Sequence, residues 1–239
     1  MASRVEGRVP RFFVTGTDTG VGKTQASRAL LSLLSDAGLQ PQGFKPYESG
    51  CASLSAPSDA LALRAAARSG LPLDIVCPHR FRAPLAPGVA ARRLGREPDW
   101  KRTLAAWEQL RHGPVVVEGA GGLFVPLDRS HDVIDLIATL RLPVLLVARA
   151  GLGTLNHTAL SLQALAARDI PVAAVLLSRS SPTRDSSERD NPALLAERHD
   201  IPVLGPVPYL KDERRRHAAF RAALAPLVER WRPIRARGR

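Results

Sequence analysis

Short apolar runs alternate along this chain with longer segments in which apolar residues recur at helical spacing. The first run, RFFVTGT (11–17), is rich in aromatic and β-branched residues and ends at a glycine loop, which predicts a buried strand. Residues 23–38 follow, with their apolar side chains on one helical face and Gly38 as the end of the pattern. Those side chains are Ala26, Leu30, Leu33, Leu34 and Ala37. The start of the chain therefore predicts a strand, a loop and an amphipathic helix.

The same alternation continues towards the end of the chain. Apolar runs predict further strands at 41–46, 114–119, 142–150, 171–178 and 201–208. Helical spacing predicts helices at 58–70, 99–113, 133–140 and 154–169, and a last one from about residue 213. We therefore expect one doubly wound α/β domain over residues 11–229, with a mostly parallel sheet flanked by helices. A flexible N-terminus (1–10), a polar mobile loop (178–191) and a basic tail (230–239) complete this prediction.

Composition narrows the function classes. The start of the chain lacks an apolar signal region, and no run of about 18 apolar residues occurs, so we expect a cytoplasmic protein without a membrane partner. Two cysteines provide no disulfide framework. The net charge of +12 is a weak argument for nucleic-acid binding, because only four of the 34 basic residues are lysine and the arginines are spread over the predicted helices. We expect no nucleic-acid partner.

The loop after the first strand carries the clearest chemical motif. It reads VTGTDTGVGKTQ (14–25) and is similar to the Walker A loop, G-x-x-x-x-G-K-[ST], but its first glycine, Gly16, stands one residue early. The backbone of 19–24 would surround phosphate oxygens at the helix N-terminus, with Lys23 on the β- and γ-phosphates and Thr24 on Mg²⁺. A glycine turn with a capping threonine is the alternative. Strand, loop, Lys-Thr pair and helix agree on a P-loop NTPase type of domain.

Two polar residues follow the second strand, in FKPYESG (44–50). Lysine is rarely buried without an anion to pair with, so Lys45 at a strand end predicts a second cation over the same sheet edge as Lys23. A surface lysine with a buried stem is the alternative. Ser49 could hydrogen-bond a substrate, although a structural role is at least as common for a lone serine.

Two carboxylates are candidate Mg²⁺ ligands. Glu118 ends the buried run VVVE before a glycine loop, where P-loop proteins carry the acidic residue of Walker B. Asp59 stands at the start of a predicted helix, where it could bind Mg²⁺ or cap the helix, with Ser58 as a competing cap. The six histidines show no metal-ligand spacing, and neither cysteine has an evident activating partner. The candidate site is therefore equipped for phosphoryl transfer, without an obvious general base.

Six segments together resemble the dethiobiotin synthetase family. They cover about residues 11–210 and read VTGTDTGVGKT, GFKPYESG, SDALAL, APLAPGVAA, VVVEGAGGLFVPL and GLGTLNHTALS. The ParA/MinD ATPases share the early glycine but carry a lysine where this chain has Asp18, which favours the synthetase branch.

The resemblance implies an ATP-dependent ring closure. One amine of 7,8-diaminononanoate captures CO₂ or bicarbonate as a carbamate, the carbamate attacks the γ-phosphorus of ATP, and the second amine displaces phosphate to give dethiobiotin and ADP. Mg²⁺ is the implied cofactor and ATP the co-substrate. A carbamate that approaches a phosphate meets electrostatic repulsion, which cations lower, and the tethered second amine gains from proximity.

The resemblance also implies roles for individual residues. Lys45, Lys23 and Thr19 would be catalytic, and Thr24, Asp59 and Glu118 would hold Mg²⁺. The implied nucleotide and magnesium contacts are Gly20, Val21, Gly22, Lys23, Thr24, Gln25, Asp59, Glu118, Gly119, Ala120, Gly121, Ser178, Pro208, Tyr209 and Leu210. The implied substrate contacts are Thr19, Ser49, Gly151, Leu152, Gly153, Thr154, Leu155 and Asn156. The segment 151–156 would reach the substrate carboxylate across a homodimer interface.

Two departures from the family pattern affect these implications. Gly20 stands where some members have glutamate, which removes a polar contact near the substrate. Ser178 and Arg179 stand where the family often has an adenine-reading asparagine, so looser nucleotide choice is a hypothesis. A ParA/MinD-like ATPase switch and a related P-loop amide-forming ligase are the alternative functions, and only substrate tests separate the second from a dethiobiotin synthetase.

Overall fold

The computed structural model describes residues 9–229, and their elements alternate as the apolar pattern predicts. The strands are β1 (Arg11–Gly16), β2 (Gln42–Phe44), β3 (Tyr47–Glu48), β4 (His79–Arg80), β5 (Val115–Glu118), β6 (Val144–Arg149), β7 (Val172–Ser178) and β8 (Val203–Val207). The helices are α1 (Lys23–Asp36), α2 (Ser58–Ala66), α3 (Leu73–Val76), α4 (Pro87–Arg92), α5 (Trp100–Glu108), α6 (Val133–Leu140), α7 (Thr154–Ala166), α8 (Asn191–His199) and α9 (Glu213–Val228).

Six strands form one sheet in the order β2-β5-β1-β6-β7-β8, and every neighbouring pair is parallel. The first strand, β1, therefore lies inside the sheet between β5 and β6. Because the strands are parallel, their carboxyl ends share one edge, which is where ligands bind in such folds. β3 and β4 pair separately as a short parallel ladder.

Two apolar layers cover the sheet, one on each face. Side chains alternate along β1, so that Phe13 packs in one layer while Phe12 and Val14 pack in the other. The Phe13 layer includes Trp107 of α5 and core residues of α6, α7 and α8. The other layer includes Leu30 and its neighbours in α1 and Leu224 of α9. Helices on both faces confirm the predicted doubly wound α/β fold.

The sequence pattern missed several short elements. β3, β4, α3 and α4 have at most six residues each, too few to show a period, and α8 follows a stretch predicted as loop. That predicted loop, 178–191, also contains a 3₁₀ helix at Ser186–Arg189. Most of the predicted N-terminal segment 1–10 and all of the basic tail 230–239 lie outside the described residues. Among residues 9–229, no helix is long and apolar enough to cross a membrane.

Candidate active site

A cavity of about 470 Å³ opens at the carboxyl edge of the sheet. The loops after β1, β2 and β5 contribute to its wall, as expected for a parallel sheet, together with β3, the segment after β4 and the first turn of α2. The predicted site residues in the wall are Thr19, Gly20, Gly22, Lys23, Thr24, Gln25, Lys45, Ser49, Asp59, Glu118, Ala120 and Gly121. The wall also contains residues that the sequence pattern did not single out: Tyr47, Glu48, Pro84, Leu85, Ala86, Pro87 and Val125.

The P-loop (residues 16–24) owes its shape to two glycines. A Cβ on Gly16 would lie 2.8 Å from Val21 Cγ2 and 3.2 Å from Lys23 Nζ, so a side chain there would push the lysine away. Gly22 precedes α1 with φ 105°, a conformation that favours glycine. The early glycine of the motif thus allows the loop to fold closely around Lys23, whose Nζ donates to the Asp18 carbonyl at 2.8 Å.

Lys23 is a buried cation that has no carboxylate of residues 9–229 in hydrogen-bond contact. Only 8% of its surface is exposed, and burial, helped by the positive charge of Lys45, lowers its pKa to about 8. The carboxylates of Glu118, Asp18 and Asp59 oppose this shift but do not cancel it. An anion placed beside Lys23 would therefore be strongly favoured.

Glu118 is the centre of the polar contacts in the cavity. It ends β5 and is 1% exposed. Thr24 Oγ1 donates to its Oε1 at 2.8 Å, and Lys45 Nζ donates to the same oxygen at 2.7 Å. Its second oxygen, Oε2, is buried, and within residues 9–229 it has no hydrogen-bond partner. A buried carboxylate oxygen without a partner is costly, which suits a site that an added group completes.

Lys45 is held by carboxylates on two sides. It is 4% exposed, so the alternative of a surface lysine is wrong. Besides Glu118, its Nζ donates to the Gly119 carbonyl at 3.0 Å and lies 3.4 Å from Asp59 Oδ2. Burial alone would lower the pKa of Lys45, but the charges of Glu118 and Asp59 and the hydrogen bond to Glu118 together raise it above its ordinary value. Lys45 therefore stays charged at neutral pH.

The residues predicted to hold magnesium share one corner of the cavity. Thr24, Asp59 and Glu118 supply a hydroxyl and two carboxylates, and Oε2 of Glu118 is the oxygen left without a partner. Mg²⁺ prefers such hard oxygen donors and usually takes one or two carboxylates with phosphate oxygens and water. These residues therefore fit Mg²⁺. In the described part of the chain, no group of three or more His, Cys, Asp and Glu side chains is arranged to hold a metal.

The alternative role of Asp59 or Ser58 as the cap of α2 is wrong. Pro57 occupies the cap position, and its side chain accepts no hydrogen bond from the N–H groups of the first turn. Glu48 does so instead, because its carboxylate accepts hydrogen bonds from the backbone N–H groups of Asp59 at 3.0 Å and Ala60 at 2.8 Å. Burial raises the pKa of Glu48, although both N–H groups oppose the shift. Sequence reasoning missed Glu48; its one signal is a charged residue in an otherwise buried segment.

A buried polar chain supports the wall behind Tyr47. Thr103 Oγ1 donates to the Tyr47 hydroxyl at 2.9 Å and lies 3.1 Å from His79 Nε2, and the Tyr47 and His79 rings stack with centroids 4.8 Å apart. Burial lowers the pKa of His79 to about 4, so this histidine is neutral at pH 7. These contacts among Thr103, Tyr47 and His79 therefore make the cavity wall rigid rather than supply acid–base chemistry.

Several predicted contacts lie outside the cavity wall. The predicted substrate loop, 151–156, follows β6; its Leu152 is 79% exposed, and the Leu152 N–H donates to Asp185 Oδ2 at 2.9 Å. The side chain of Val21 packs in the core, and Gly119 takes part through its carbonyl. The others lie near the carboxyl ends of β7 and β8: Ser178, Pro208, Tyr209 and Leu210.

Two arginines near the P-loop, Arg179 and Arg149, differ in their hydrogen-bond and ion-pair partners. Arg179 is tied to Glu188 at 3.0 Å and to the Pro182 carbonyl at 3.1 Å, so its guanidinium is held by the segment after β7. Arg149, at the end of β6, donates to Asp18 Oδ2 at 2.8 Å. Sequence reasoning missed Arg149, since its partner lies far away in the chain.

Comparison with known proteins identifies what the chain is similar to. A family model described as an AAA domain matches residues 10–216. The ATP-dependent dethiobiotin synthetase BioD of Anaeromyxobacter dehalogenans (strain 2CP-C) is 48% identical over 219 residues, which are 91% of this chain and 98% of that protein. The ATP-dependent dethiobiotin synthetase BioD of Bacillus subtilis (strain 168) is 37% identical over 201 residues, 83% of this chain and 87% of that one.

One solved structure supports the fold. Cobyrinic acid a,c-diamide synthase from Mycobacterium smegmatis, with bound ADP and magnesium, has a TM-score of 0.52 at 15% identity over 94% of this chain and 96% of that chain. At such identity the similarity concerns the fold alone, and it agrees with the parallel sheet and P-loop described above.

Proposed function

The chain belongs to the ATP-dependent dethiobiotin synthetases, P-loop ligases of biotin biosynthesis, and on that premise we propose how its residues divide the reaction. One observation carries the assignment. Lys45 Nζ donates a hydrogen bond to Glu118, and the wall of the same cavity also contains Lys23 of the P-loop. Two cations and two carboxylates at one sheet edge suit the meeting of two anions, a phosphate and a carbamate.

Lys23 and Lys45 divide the electrostatic work in this proposal. In the first step, one amine of 7,8-diaminononanoate forms a bond to the carbon of CO₂ and loses a proton, which gives a carbamate. A carbamate oxygen then attacks the γ-phosphorus, ADP leaves, and Lys45 and Lys23 stabilise the charge that the two anions share. The second amine attacks the carbamate carbon, loses a proton and expels phosphate, which closes the ring. Thr19 and Ser49, both in the wall, would orient the substrate.

Magnesium would be held by Thr24, Asp59 and Glu118. When bound, it neutralises phosphate charge and orients the β- and γ-phosphates. What supports this assignment is Glu118 Oε2, which has no hydrogen-bond partner among residues 9–229, on a carboxylate that Thr24 contacts and that shares Lys45 with Asp59. Since Glu118 Oε1 already accepts from Thr24 and Lys45, its Oε2 is the oxygen left for the metal.

The substrate carboxylate would bind the segment 151–156 of a second copy of the chain. Two observations support a homodimer: this segment does not line the cavity of its own chain, and Leu152 and Leu160 are large exposed apolar residues on the segment and on α7. Light scattering at micromolar concentration tests this point, and Leu160→Asp should lower the measured mass to that of one chain.

The adenine would lie beyond the P-loop, near Ser178 and residues 208–210. A Cβ on Gly22 would lie 3.2 Å from Ser178 Oγ, so this serine adjoins the P-loop. Because Arg179 is engaged with Glu188, we assign no base contact to it and keep looser nucleotide choice as a proposal. A panel of nucleoside triphosphates compared by kcat/KM tests it. We also propose a cytoplasmic location and one domain over residues 11–229, and we give the basic tail no role.

The central experiment measures ADP release by the purified protein with ATP, Mg²⁺ and bicarbonate, with and without 7,8-diaminononanoate. We expect release that depends on the diamine and a product with the mass of dethiobiotin. Diamine-independent release would favour an ATPase switch. Formation of another amide from a different amine or carboxylate would favour a related P-loop ligase.

A further inference from the structure

Glu48 is a buried carboxylate of the cavity wall that the proposed reaction leaves without a role. It ends the short strand β3 and is 3% exposed. The Phe81 N–H donates to its carbonyl at 2.8 Å, so the ladder between β3 and β4 fixes its backbone. Its side chain crosses to α2, where Oε1 accepts from the Asp59 N–H and Oε2 from the Ala60 N–H.

Helix α2 begins without a cap of its own. The first N–H groups of a helix have no partner within the helix, and a serine, threonine, aspartate or asparagine side chain usually accepts from them. Here Pro57 holds the cap position with φ −66° and ψ 126°, and its ring offers no acceptor. The Glu48 carboxylate supplies both acceptors, and its negative charge suits the positive end of the helix dipole.

This contact includes the backbone of Asp59. Glu48 holds the backbone N–H of Asp59 itself, in the same turn from which the Asp59 carboxylate reaches within 3.4 Å of Lys45 Nζ. Without that anchor, the N–H groups of Asp59 and Ala60 would have no acceptor among residues 9–229, and the Asp59 carboxylate would no longer be held at the metal corner.

We propose that Glu48 is a positioning residue which, by capping α2 from β3, holds the Asp59 carboxylate at the magnesium corner. The proposal rests on the magnesium ligands proposed above and deepens that assignment. It does not require Glu48 to touch substrate, nucleotide or metal.

The test measures metal affinity directly, with Mn²⁺ as a spectroscopic probe. Mn²⁺ is titrated into the full chain with ADP and followed by electron paramagnetic resonance, in the absence of the diamine. We expect Glu48→Ala to weaken Mn²⁺ binding about 10- to 100-fold, the usual effect of losing a partner of a metal ligand. Asp59→Asn should weaken it at least as much. Glu48→Gln keeps the side-chain volume and one acceptor oxygen, and it should fall between wild type and Glu48→Ala.

A local cap provides the rescue. The backbone of Pro57 is extended, as at an ordinary helix cap, so Pro57→Ser in the Glu48→Ala background puts a hydroxyl acceptor at that position. We expect the double variant to recover at least half of the lost affinity on a logarithmic scale. A merely destabilised protein would not recover metal affinity in this way, and thermal unfolding of each variant confirms that it is folded.

Three results would overturn the inference. If Asp59→Asn weakens Mn²⁺ binding while Glu48→Ala leaves it within twofold, the positioning role fails and the metal assignment stands. If Asp59→Asn has no effect, the metal assignment fails, and the positioning role fails with it. If Pro57→Ser restores nothing and Glu48→Ala instead raises KM for the diamine, then Glu48 contacts the substrate.

Discussion

Two buried lysines of the cavity wall differ in charge compensation: Lys23 of the P-loop (the P-loop end) and Lys45 beside Glu118 of β5 (the β5 end). At the P-loop end, the ammonium of Lys23 donates to a peptide carbonyl, and burial lowers its pKa to about 8. At the β5 end, the carboxylates around Lys45 outweigh burial and raise its pKa. The residue type and the sheet edge are the same, so the neighbouring carboxylates make the difference.

The contrast separates a lysine whose charge is not compensated until a ligand binds, Lys23, from one whose charge the protein's own carboxylates compensate, Lys45. Lys45 is satisfied before any ligand binds, since Glu118 and the Gly119 carbonyl accept from it. Lys23 carries an electrostatic cost that a phosphate can relieve, because a buried cation gains most from an added anion. Nucleotide binding should therefore depend mostly on the P-loop end, and the charge balance of the transition state on the β5 end.

The largest expected effect comes from removing the β5-end cation. Lys45→Ala should lower kcat/KM for dethiobiotin formation on the order of 10³-fold, because it removes one of the two cations proposed to stabilise the charge that carbamate and γ-phosphate share. The measurement is a steady-state assay with product detection by mass. Lys101→Ala, on the exposed side of α5, is the matched control and should retain full activity. A loss below tenfold in Lys45→Ala would show that Lys23 alone supplies the charge.

A second change would make the β5 end resemble the P-loop end. Glu118→Gln keeps the volume but removes the charge that compensates Lys45, so it should lower the free energy of unfolding by about 3 kcal/mol, as for a broken buried ion pair. Urea unfolding at pH 7 measures the loss. The exposed Glu108, which pairs with Arg111, gives the control: Glu108→Gln should cost under about 0.5 kcal/mol. Equal losses in both variants would contradict the buried compensation.

The third prediction concerns Lys23 at the P-loop end, where a substitution should raise the free energy of unfolding rather than lower it. The folded-state pKa of Lys23, about 8, lies below the ordinary lysine value of 10.5, so between these pH values the unfolded chain binds more protons. The unfavourable contribution of Lys23 is therefore complete below pH 8 and disappears as the pH rises towards 10.5. Without nucleotide at pH 7, Lys23→Met should raise the free energy of unfolding by about 2 kcal/mol, after the loss of one hydrogen bond.

Urea unfolding of both proteins at pH 7 and pH 10 checks this sign. The advantage of Lys23→Met should shrink towards zero at pH 10, while its affinity for ATP is lost at both pH values. A variant that is less stable than wild type at pH 7 would mean that the P-loop already compensates its lysine.

The smallest expected effect concerns Arg149 and Asp18, the partly exposed ion pair beside the P-loop. Asp18 also accepts from the Thr19 N–H and, through its carbonyl, from Lys23, so the pair steadies the part of the loop that surrounds phosphate. Arg149→Met should weaken binding of a non-hydrolysable ATP analogue about three- to fivefold, within the range of about 1 kcal/mol for such pairs. Calorimetry with Asp18→Asn and the double variant should show non-additive losses of affinity for the ATP analogue. Fully additive losses would mean that the Arg149–Asp18 pair does not contribute to nucleotide binding.

Local sequence was sufficient for much of the fold and for most of the cavity wall. The P-loop, Lys45 and Glu118 each follow a strand that its own apolar run identifies, and parallel strands bring such loops together. Phe12, Phe13 and Val14 are all apolar and point to alternate faces of the sheet, which likewise indicates a sheet covered on both faces. In these cases the relevant physical information lies within a few residues.

The misses involve contacts between distant parts of the chain. Capping of α2 by Asp59 or Ser58 was one alternative from local sequence, whereas Glu48 accepts from the first turn from another element. Arg149 meets Asp18 across more than a hundred residues, and no local pattern reports such a pair. The segment at 178–191 looked like a loop because its polar composition hides a 3₁₀ helix, and α8 follows directly from it.

The interior position of β1 has a consequence for how the chain is made. Among the described strands β1 is synthesised first, yet its two partners, β5 and β6, follow roughly a hundred or more residues later. Long-range parallel pairing is slow to form, because the intervening chain must be ordered before the contacts stabilise it. The nascent chain must therefore reach about residue 149 before its nucleotide loop has a sheet on both sides. Until then the apolar side chains of β1 lack the neighbouring strands that bury them, a condition that favours aggregation of a nascent chain.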